Sequence, residues 1–390
     1  MTRVRGLLIL LSAAMVVDTA GYSAITPLLP HFVDTYGLGR VGAGLLAAAY
    51  PLGTVGLALP AAWLVARVGP KRVTLLSLTL LGAASLGFAL ATTAPLLALA
   101  RLAQGCGAAG LWSAALAWAI AIAPAGRRAE VIGTVTGAAI VGAVGGPVLG
   151  VLGDLIGIRT VFLVFVAVPA VLGALVARRP APPTVARASG LRDLVRAAHD
   201  GRVRLGVWLM VVPSIGFGVI ALLVPLRLDA RGWTAAGIGA VFLVAAVTEA
   251  LASPVAGRAA DRYGPHVPGW VALAASGIGL ALLAPRWGGG PASAWTIAVL
   301  VPLTGAVLGS LWTPAMTLLT HGAEDGGVDP AFGFGMANLS WGVGTGIGNL
   351  AGGGVAEIAG DWAAFALVAA VAAGSAVAVR RMATPRVREL

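Results

Sequence analysis

Twelve long apolar runs punctuate this sequence, and no other feature restricts its fold so severely. They cover residues 6–29, 41–66, 72–93, 95–121, 130–154, 159–177, 204–226, 235–259, 267–284, 293–320, 331–356 and 361–379. A helix needs roughly 20 apolar residues to cross a hydrocarbon core. Charged residues make up 11% of the chain, against about 25% in soluble domains, so the surface of a water-soluble fold could not be kept wet. The expected fold is an all-α membrane protein with twelve transmembrane helices.

A formal net charge of +11 suggests nucleic acid until its distribution is read. With the amino terminus in the cytoplasm, twenty Lys and Arg residues fall on the cytoplasmic side, among them Arg67, Lys71, Arg178, Arg179, Arg262, Arg380 and Arg381. Five fall on the other side (Arg40, Arg159, Arg227, Arg231 and Arg286), and Arg101 lies inside a run. This is the positive-inside bias of a membrane protein with both termini inward, so no nucleic-acid partner is expected. Arg3 and Arg5 precede an apolar run as in a signal peptide, but the run continues to about Leu29 without a credible cleavage site and reads as the first span. The one cysteine, Cys106, lies within a span, and His31, His199, His266 and His321 are scattered. No disulfide, metal site or cofactor is expected.

The chain repeats itself. At an offset of 195, Pro30, Gly37, Gly42, Gly44, Arg67, Gly69 and Pro70 match Pro225, Gly232, Gly237, Gly239, Arg262, Gly264 and Pro265. Further on the offset drifts. Leu111-Trp112-Ser113 matches Leu311-Trp312-Thr313, and Gly150, Asp154, Gly157 and Phe162 match Gly353, Glu357, Gly360 and Phe365. Six spans separate the copies, so the repeats are parallel, with a site expected at their interface. The expected organisation is a six-helix bundle over 1–177, a cytoplasmic linker over 178–203 and a second bundle over 204–390 with a short tail. Within the linker, the Arg-rich stretch Leu191–Ala198 reads either as a surface-lying amphipathic segment or as a solvated connector.

Several segments resemble the signatures of the major facilitator superfamily. The stretch from Ala62 to Arg72, holding Arg67, Gly69 and Lys71, resembles the cytoplasmic motif G-x-L-x-D-R-x-G-R-K/R-R. Its second copy, Gly257 to Pro265, holds Asp261, Arg262 and Gly264 and matches more fully. Arg101-Leu102-Ala103-Gln104-Gly105 resembles R-x-x-Q-G in span four. Gly142, Gly146, Pro147 and Gly150 in span five resemble the antiporter motif G-x-x-x-G-P-x-x-G. Asp18-Thr19-Ala20-Gly21 with Pro27 and Pro30 looks like the opening of tetracycline-type and other twelve-span drug exporters. The resemblance implies drug/proton antiport by alternating access, with spans one, four, seven and ten lining a central cavity. One departure stands out: the acid of the first cytoplasmic motif is Ala66 here. In the family that carboxylate is thought to latch the halves together on the cytoplasmic side.

Three charges lie deep inside the runs, away from their ends. Asp18 is about 18 Å from the cytoplasmic edge of span one, near the midplane. An ionised carboxylate there costs at least several kcal/mol, which favours an exchangeable proton. Tyr22 and Thr26 follow at helical spacing on the same face. The other reading of Asp18 is a structural acid bonded to a neighbouring helix. Arg101 lies about 9 Å into span four; it stays charged and needs water, an acid or backbone carbonyls. Asp18 is its nearest acid in depth, and the family resemblance implies a proton-linked role; a fixed organising charge is the alternative. Glu249, near mid-depth in span eight, is a second proton site, a contact for a cationic substrate, or a structural acid. Tyr22, Trp112, Phe217, Trp312, Trp341 and Asn338 are candidates for an adaptable pocket; each reads equally as core or lipid-facing. Gly142, Gly146 and Gly150 share one face and permit close helix contact, and Pro147 adds a kink.

The function expected is proton-coupled efflux of small lipophilic or cationic drug-like molecules, by a monomer in a bacterial inner membrane. Its expected partners are protons, the small-molecule substrate and the bilayer. An importer or facilitator for a metabolite, or an exporter of one natural product, is the alternative. There are no paired catalytic carboxylates, nucleophile elbow or phosphate loop, so no enzyme is expected. A carboxylate near a helix N-terminus is worth a fraction of a kcal/mol to about 2 kcal/mol. Ala66→Asp is therefore expected to shift the population towards outward-facing states, read as changed inter-half distances between spin labels; unchanged distances contradict it.

Overall fold

Where each apolar run meets a polar connection, the chain must turn, and glycines mark the turns. Among the described residues, six have positive φ: Gly37, Gly69, Gly157, Gly232, Gly264 and Gly360, between 61° and 95°. That region is strained for residues with a Cβ. These six form three repeat-related pairs, 37 with 232, 69 with 264 and 157 with 360. The repeat read in the sequence is thus a repeat of backbone conformation.

The computed structural model describes residues 2–123, 127–181, 199–285, 291–325 and 331–383. The stretch Leu191–Ala198 lies outside them. The described residues are helical and contain no strand. Span one is Thr2–Ser23, a 3-10 turn Thr26–Leu28 and Leu29–Tyr36. Spans two to six are Arg40–Val68, Pro70–Leu90, Ala94–Ile122, Arg128–Ile156 and Ile158–Ala177. Spans seven to nine are Gly201–Asp229, Ala235–Tyr263 and His266–Leu283. Span ten is Pro291–Ser310 followed by Trp312–Asp325, and spans eleven and twelve are Ala331–Ala359 and Asp361–Ala383. Eleven of these segments are long and apolar enough to cross a bilayer. Span eleven is less apolar because it is rich in glycine, yet its 29 residues reach about 43 Å.

Two spans are interrupted, and proline explains both. Pro27 and Pro30 have no N–H to continue the ladder of span one, so the helix ends at Ser23 and resumes at Leu29. The sequence pattern closes that span near residue 29. In the structure helix continues to Tyr36, because Leu29, Pro30 and Phe32 are buried, and it stops at left-handed Gly37. Pro314 likewise leaves the Ser310 carbonyl without its donor, and span ten breaks at Leu311. Span four has Ala114 at the matching position and runs unbroken.

The chain separates into two compact units, Met1–Ser189 with Trp233–Leu243, and Gly190–Gly232 with Val244–Leu390. In the first, span one packs on span five, span two on span four, and span three on spans four and six. In the second, span seven packs on spans ten and eleven, and span nine on span twelve. The tightest seams use small residues, which lets backbones approach. A Cβ on Gly142 would strike Thr19 and the Val16 carbonyl; one on Gly146 would strike Ser23 and the Ala20 carbonyl; one on Gly150 would strike the Ala24 carbonyl and Pro27. Span eleven repeats this with Gly344 on Ser214 and the Val211 carbonyl, Gly348 on the Ile215 carbonyl and Gly218, and Gly352 on Val219. The contacted residues keep the offset of 195: 16 with 211, 19 with 214, 20 with 215, 23 with 218 and 24 with 219.

Hydroxyls reinforce the first seam. Thr19 Oγ1 lies 2.8 Å from the Ala139 carbonyl and 2.8 Å from the Met15 carbonyl of its own helix. Ser23 Oγ lies 3.1 Å from the Ala143 carbonyl and 2.9 Å from that of Thr19. The glycine motif of span five is therefore a packing surface for span one, the helix that carries Asp18. At the other seam, Gly348→Ala is expected to destabilise the protein by about 1–3 kcal/mol through overpacking against backbone. Gly354→Ala, where a Cβ meets nothing within 4 Å, is expected to be neutral or mildly stabilising. Thermal unfolding of the purified variants in detergent checks both.

Candidate functional site

The break in span one leaves the last turn of its first segment without helical donors for its carbonyls. Arg101 takes that role. One of its terminal nitrogens donates to the Gly21 carbonyl at 3.3 Å and to Gln104 Oε1 at 3.0 Å, and the other donates to the Tyr22 carbonyl at 3.2 Å. A cation at a helix carboxyl end also meets the negative pole of its dipole. Gln104 in turn donates to Ser85 Oγ at 3.1 Å, which fixes the amide so that its oxygen faces Arg101. The guanidinium is 1% exposed and sits 4.9 Å from the ring centre of Tyr50 and 5.7 Å from that of Tyr22. Those two rings are 4.8 Å apart. Arg101 Nε alone has no partner among the described residues.

Asp18 stands one turn before that break and is 4% exposed. Tyr50 donates its hydroxyl to Oδ1 at 2.8 Å, and the Trp112 indole donates to Oδ2 at 3.1 Å. Both donors are neutral. No ion pair joins Asp18 to Arg101 among the described residues; Tyr50 lies between them, with its hydroxyl on the acid and its ring against the guanidinium. Asp18, the acid nearest Arg101 in depth, is thus linked to it through this one side chain.

Tyr50 is delivered by close packing of spans two and four. A Cβ on Gly105 would strike the Tyr50 carbonyl, and one on Gly53 would strike the Leu102 carbonyl. Thr54 Oγ1 lies 3.2 Å from the Tyr50 carbonyl and 3.3 Å from that of Gly105. The sequence reading did not single out Tyr50, which belongs to none of the motifs. Its only signal is a tyrosine inside an apolar run, one helical turn from Gly53 and Thr54.

In the second unit the Trp312 indole donates to Glu249 Oε1 at 3.1 Å. Phe217 stacks on Trp312 with ring centres 6.1 Å apart and planes 19° apart. Trp312 opens the second segment of span ten, so the break at Leu311 sets the indole's position. Asn338 and Trp341 are half-buried on span eleven, and nothing described joins Asn338 to Glu249.

The remaining motif residues lie apart from these groups. Lys71 donates to the carbonyls of Ala177 at 2.8 Å and Arg179 at 2.5 Å, capping the end of span six. Arg67 lies 4.3 Å over the Trp63 ring, and Arg262 lies 5.2 Å over that of Tyr263. Gly69 and Gly264 supply matching turns with φ of 85° and 75°. Asp261 is exposed at the end of span eight. Pro147 sits inside the unbroken helix of span five. Arg227, placed by the sequence reading outside the spans, is buried at the end of span seven, where it donates to Asp361 at 3.3 Å and to the Leu283 carbonyl at 2.5 Å.

The sequence profile described as Major Facilitator Superfamily matches residues 11–222 and 207–389. Among curated proteins none matches significantly. Solved structures do match in fold. A bacterial homologue of the human lysosomal transporter Spinster, inward-facing and occupied, aligns with a TM-score of 0.77 at 15% identity, covering 98% of this chain and 97% of its own. The same homologue, inward-facing and unoccupied, gives 0.72 at 16%, covering 98% and 95%. The nucleoside transporter NupG gives 0.72 at 16%, covering 97% of this chain and 98% of its own.

The pivotal position of Tyr50 gives a test confined to one atom. Tyr50→Phe keeps the ring against Arg101 and leaves Asp18 Oδ1 without its hydroxyl donor. It is expected to cost about 1–3 kcal/mol of stability, the usual penalty for stripping a partner from a buried acceptor. A melting temperature in detergent equal to that of the parent protein contradicts the assignment.

Proposed function

The chain belongs to the Major Facilitator Superfamily, and from that premise we propose that it exports small, drug-like lipophilic or cationic molecules in exchange for protons. It is a multi-pass membrane transporter and not an enzyme. The observation that carries the proposal is Asp18, a carboxylate buried near the middle of span one and held by two neutral donors. Acids placed among membrane spans are costly and are commonly proton or ion sites. The antiporter-type glycine motif packed directly behind the same helix supports export over import.

The chemistry follows from what protonation does to this group. As a carboxylate, Asp18 accepts two charge-assisted bonds, roughly twice as strong as neutral ones, and so ties span one to span two through Tyr50 and to span four through Trp112. A proton on one oxygen turns that oxygen into a donor, leaves the other a neutral acceptor and removes the charge that strengthens both bonds, which weakens that tie. Arg101 stays charged and stays on the carbonyls of Gly21 and Tyr22, so the helix break persists while the grip on Asp18 changes. In this scheme substrate enters from the cytoplasm or inner leaflet, and an incoming proton promotes its release outside. The protein works in a bacterial inner membrane with both termini cytoplasmic, as a monomer whose two six-span halves are joined by a cytoplasmic linker. Gly69, Lys71, Gly264 and Arg262 hold the cytoplasmic turns, and Glu249, Phe217 and Trp312 contribute from the second half.

Reconstitution into proteoliposomes with an imposed pH gradient tests this reading with lipophilic cations and tetracycline-like compounds. Gradient-driven transport is expected, and Asp18→Asn is expected to abolish substrate-induced proton release. Proton release that survives in Asp18→Asn removes the assignment, and gradient-insensitive transport by the parent protein removes proton coupling altogether.

A further inference from the structure

Positions related by the repeat carry different chemistry in the two units. Phe217 stands where Tyr22 does, Trp312 where Trp112 does, Glu249 where Thr54 does, and Gly309 where Ala109 does. In the first unit Thr54 uses its hydroxyl on backbone carbonyls, and Trp112 reaches across to an acid on span one. In the second unit the position of Asp18 is taken by Pro213, and Trp312 turns instead to an acid on span eight. Gly309 makes room for it: a Cβ there would fall 2.6 Å from Glu249 Cδ and 2.7 Å from Oε1. The glutamate and the glycine replace the threonine and the alanine together, as one local change of shape and charge.

The two acids are also finished differently. Asp18 is almost fully enclosed and both its oxygens accept a hydrogen bond. Glu249 is half-buried, Oε1 accepts from Trp312, and Oε2 receives no donor among the described residues. Its donor Trp312 is half-buried and stacks on a second half-buried ring, Phe217. An open carboxylate oxygen attracts a cation by a charge-assisted bond, and aromatic faces attract the same cation and a flat apolar body.

We propose that Glu249, Phe217 and Trp312 form a binding site for planar organic cations, separate from the proton site at Asp18. The inference rests on the export reading above and gives it a substrate class. The first unit's aromatic–acid cluster is closed and serves the proton; its counterpart is open on one oxygen and serves the substrate.

Ethidium binding to the purified full-length protein in detergent, followed by fluorescence anisotropy, tests the site. Saturable binding is expected for the parent protein, and Glu249→Gln is expected to weaken it about tenfold or more by removing the charge partner. Glu249→Asp, which restores the charge, is expected to recover most of that loss. Phe217→Leu removes the stacked ring, keeps the carboxylate, and is expected to weaken ethidium about threefold to tenfold. It also reads the site if Glu249→Gln does not fold. The proposal is overturned by an absence of saturable ethidium binding, by affinity unmoved in Glu249→Gln, or by an equal loss for a neutral planar probe. The coupling assay remains separate. Gradient-driven transport that persists while Glu249→Gln leaves ethidium affinity unchanged sinks this site alone, whereas intact Glu249-dependent binding without gradient-driven transport sinks only the coupling.

Discussion

A charge enclosed by protein at membrane depth must be solvated by the protein itself, and the first unit is arranged around two such charges that do not pair with each other. Arg101 is satisfied by backbone carbonyls and a glutamine amide, and Asp18 by a phenol and an indole. The arrangement leaves the acid free to change its protonation state without stranding the arginine. A direct ion pair would not, because removing one partner of a buried pair leaves the other uncompensated. Arg101 therefore stabilises the shape of span one, and in the proposed scheme Asp18 is the group whose charge varies.

This solution makes demands on the backbone. Carbonyls are available to Arg101 only because span one stops at Ser23, which it does because Pro27 and Pro30 cannot continue its ladder. Tyr50 reaches Asp18 only because Gly53 and Gly105 let spans two and four touch at backbone distance. Span one keeps its course because Gly142, Gly146 and Gly150 give it a flat seam with hydroxyl contacts from Thr19 and Ser23. The glycine motif, the proline pair and the R-x-x-Q-G motif thus belong to a single structural unit.

The second unit shows how little change alters the chemistry carried on one scaffold. Its seam between spans seven and eleven repeats the first seam residue for residue, from Val211 to Val219 on one side and Gly344 to Gly352 on the other. Yet its acid comes from span eight rather than from the counterpart of span one. Its break falls in span ten rather than in span seven, because proline stands at position 314 where the first half has Ala114. The indole is the constant element, and the helix that supplies its carboxylate is the variable one.

Apolar run length, the asymmetry of Lys and Arg, and the repeat were legible in the sequence because each depends on local composition or on identity at a fixed spacing. So were the individual charges: Asp18, Arg101 and Glu249 stand out because a charged residue in an apolar run needs a reason. The seam glycines of span five were visible as a motif, while Gly344, Gly348 and Gly352 lay unnoticed in a glycine-rich stretch, where the repeat as read paired Gly150 with Gly353 instead of Gly352. Apart from Gln104, which stands three residues along in Arg101's own motif, the groups that satisfy those charges were not legible. Tyr50 and Ser85 come from other helices, and the partners of Arg101 include main-chain atoms that any residue type supplies. Sequence fixes which side chains carry charge and where helices must break; only the packing of helices distant in the chain decides which donors and carbonyls those charges meet, because hydrogen bonds act over about 3 Å and a one-dimensional string does not hold distances that short.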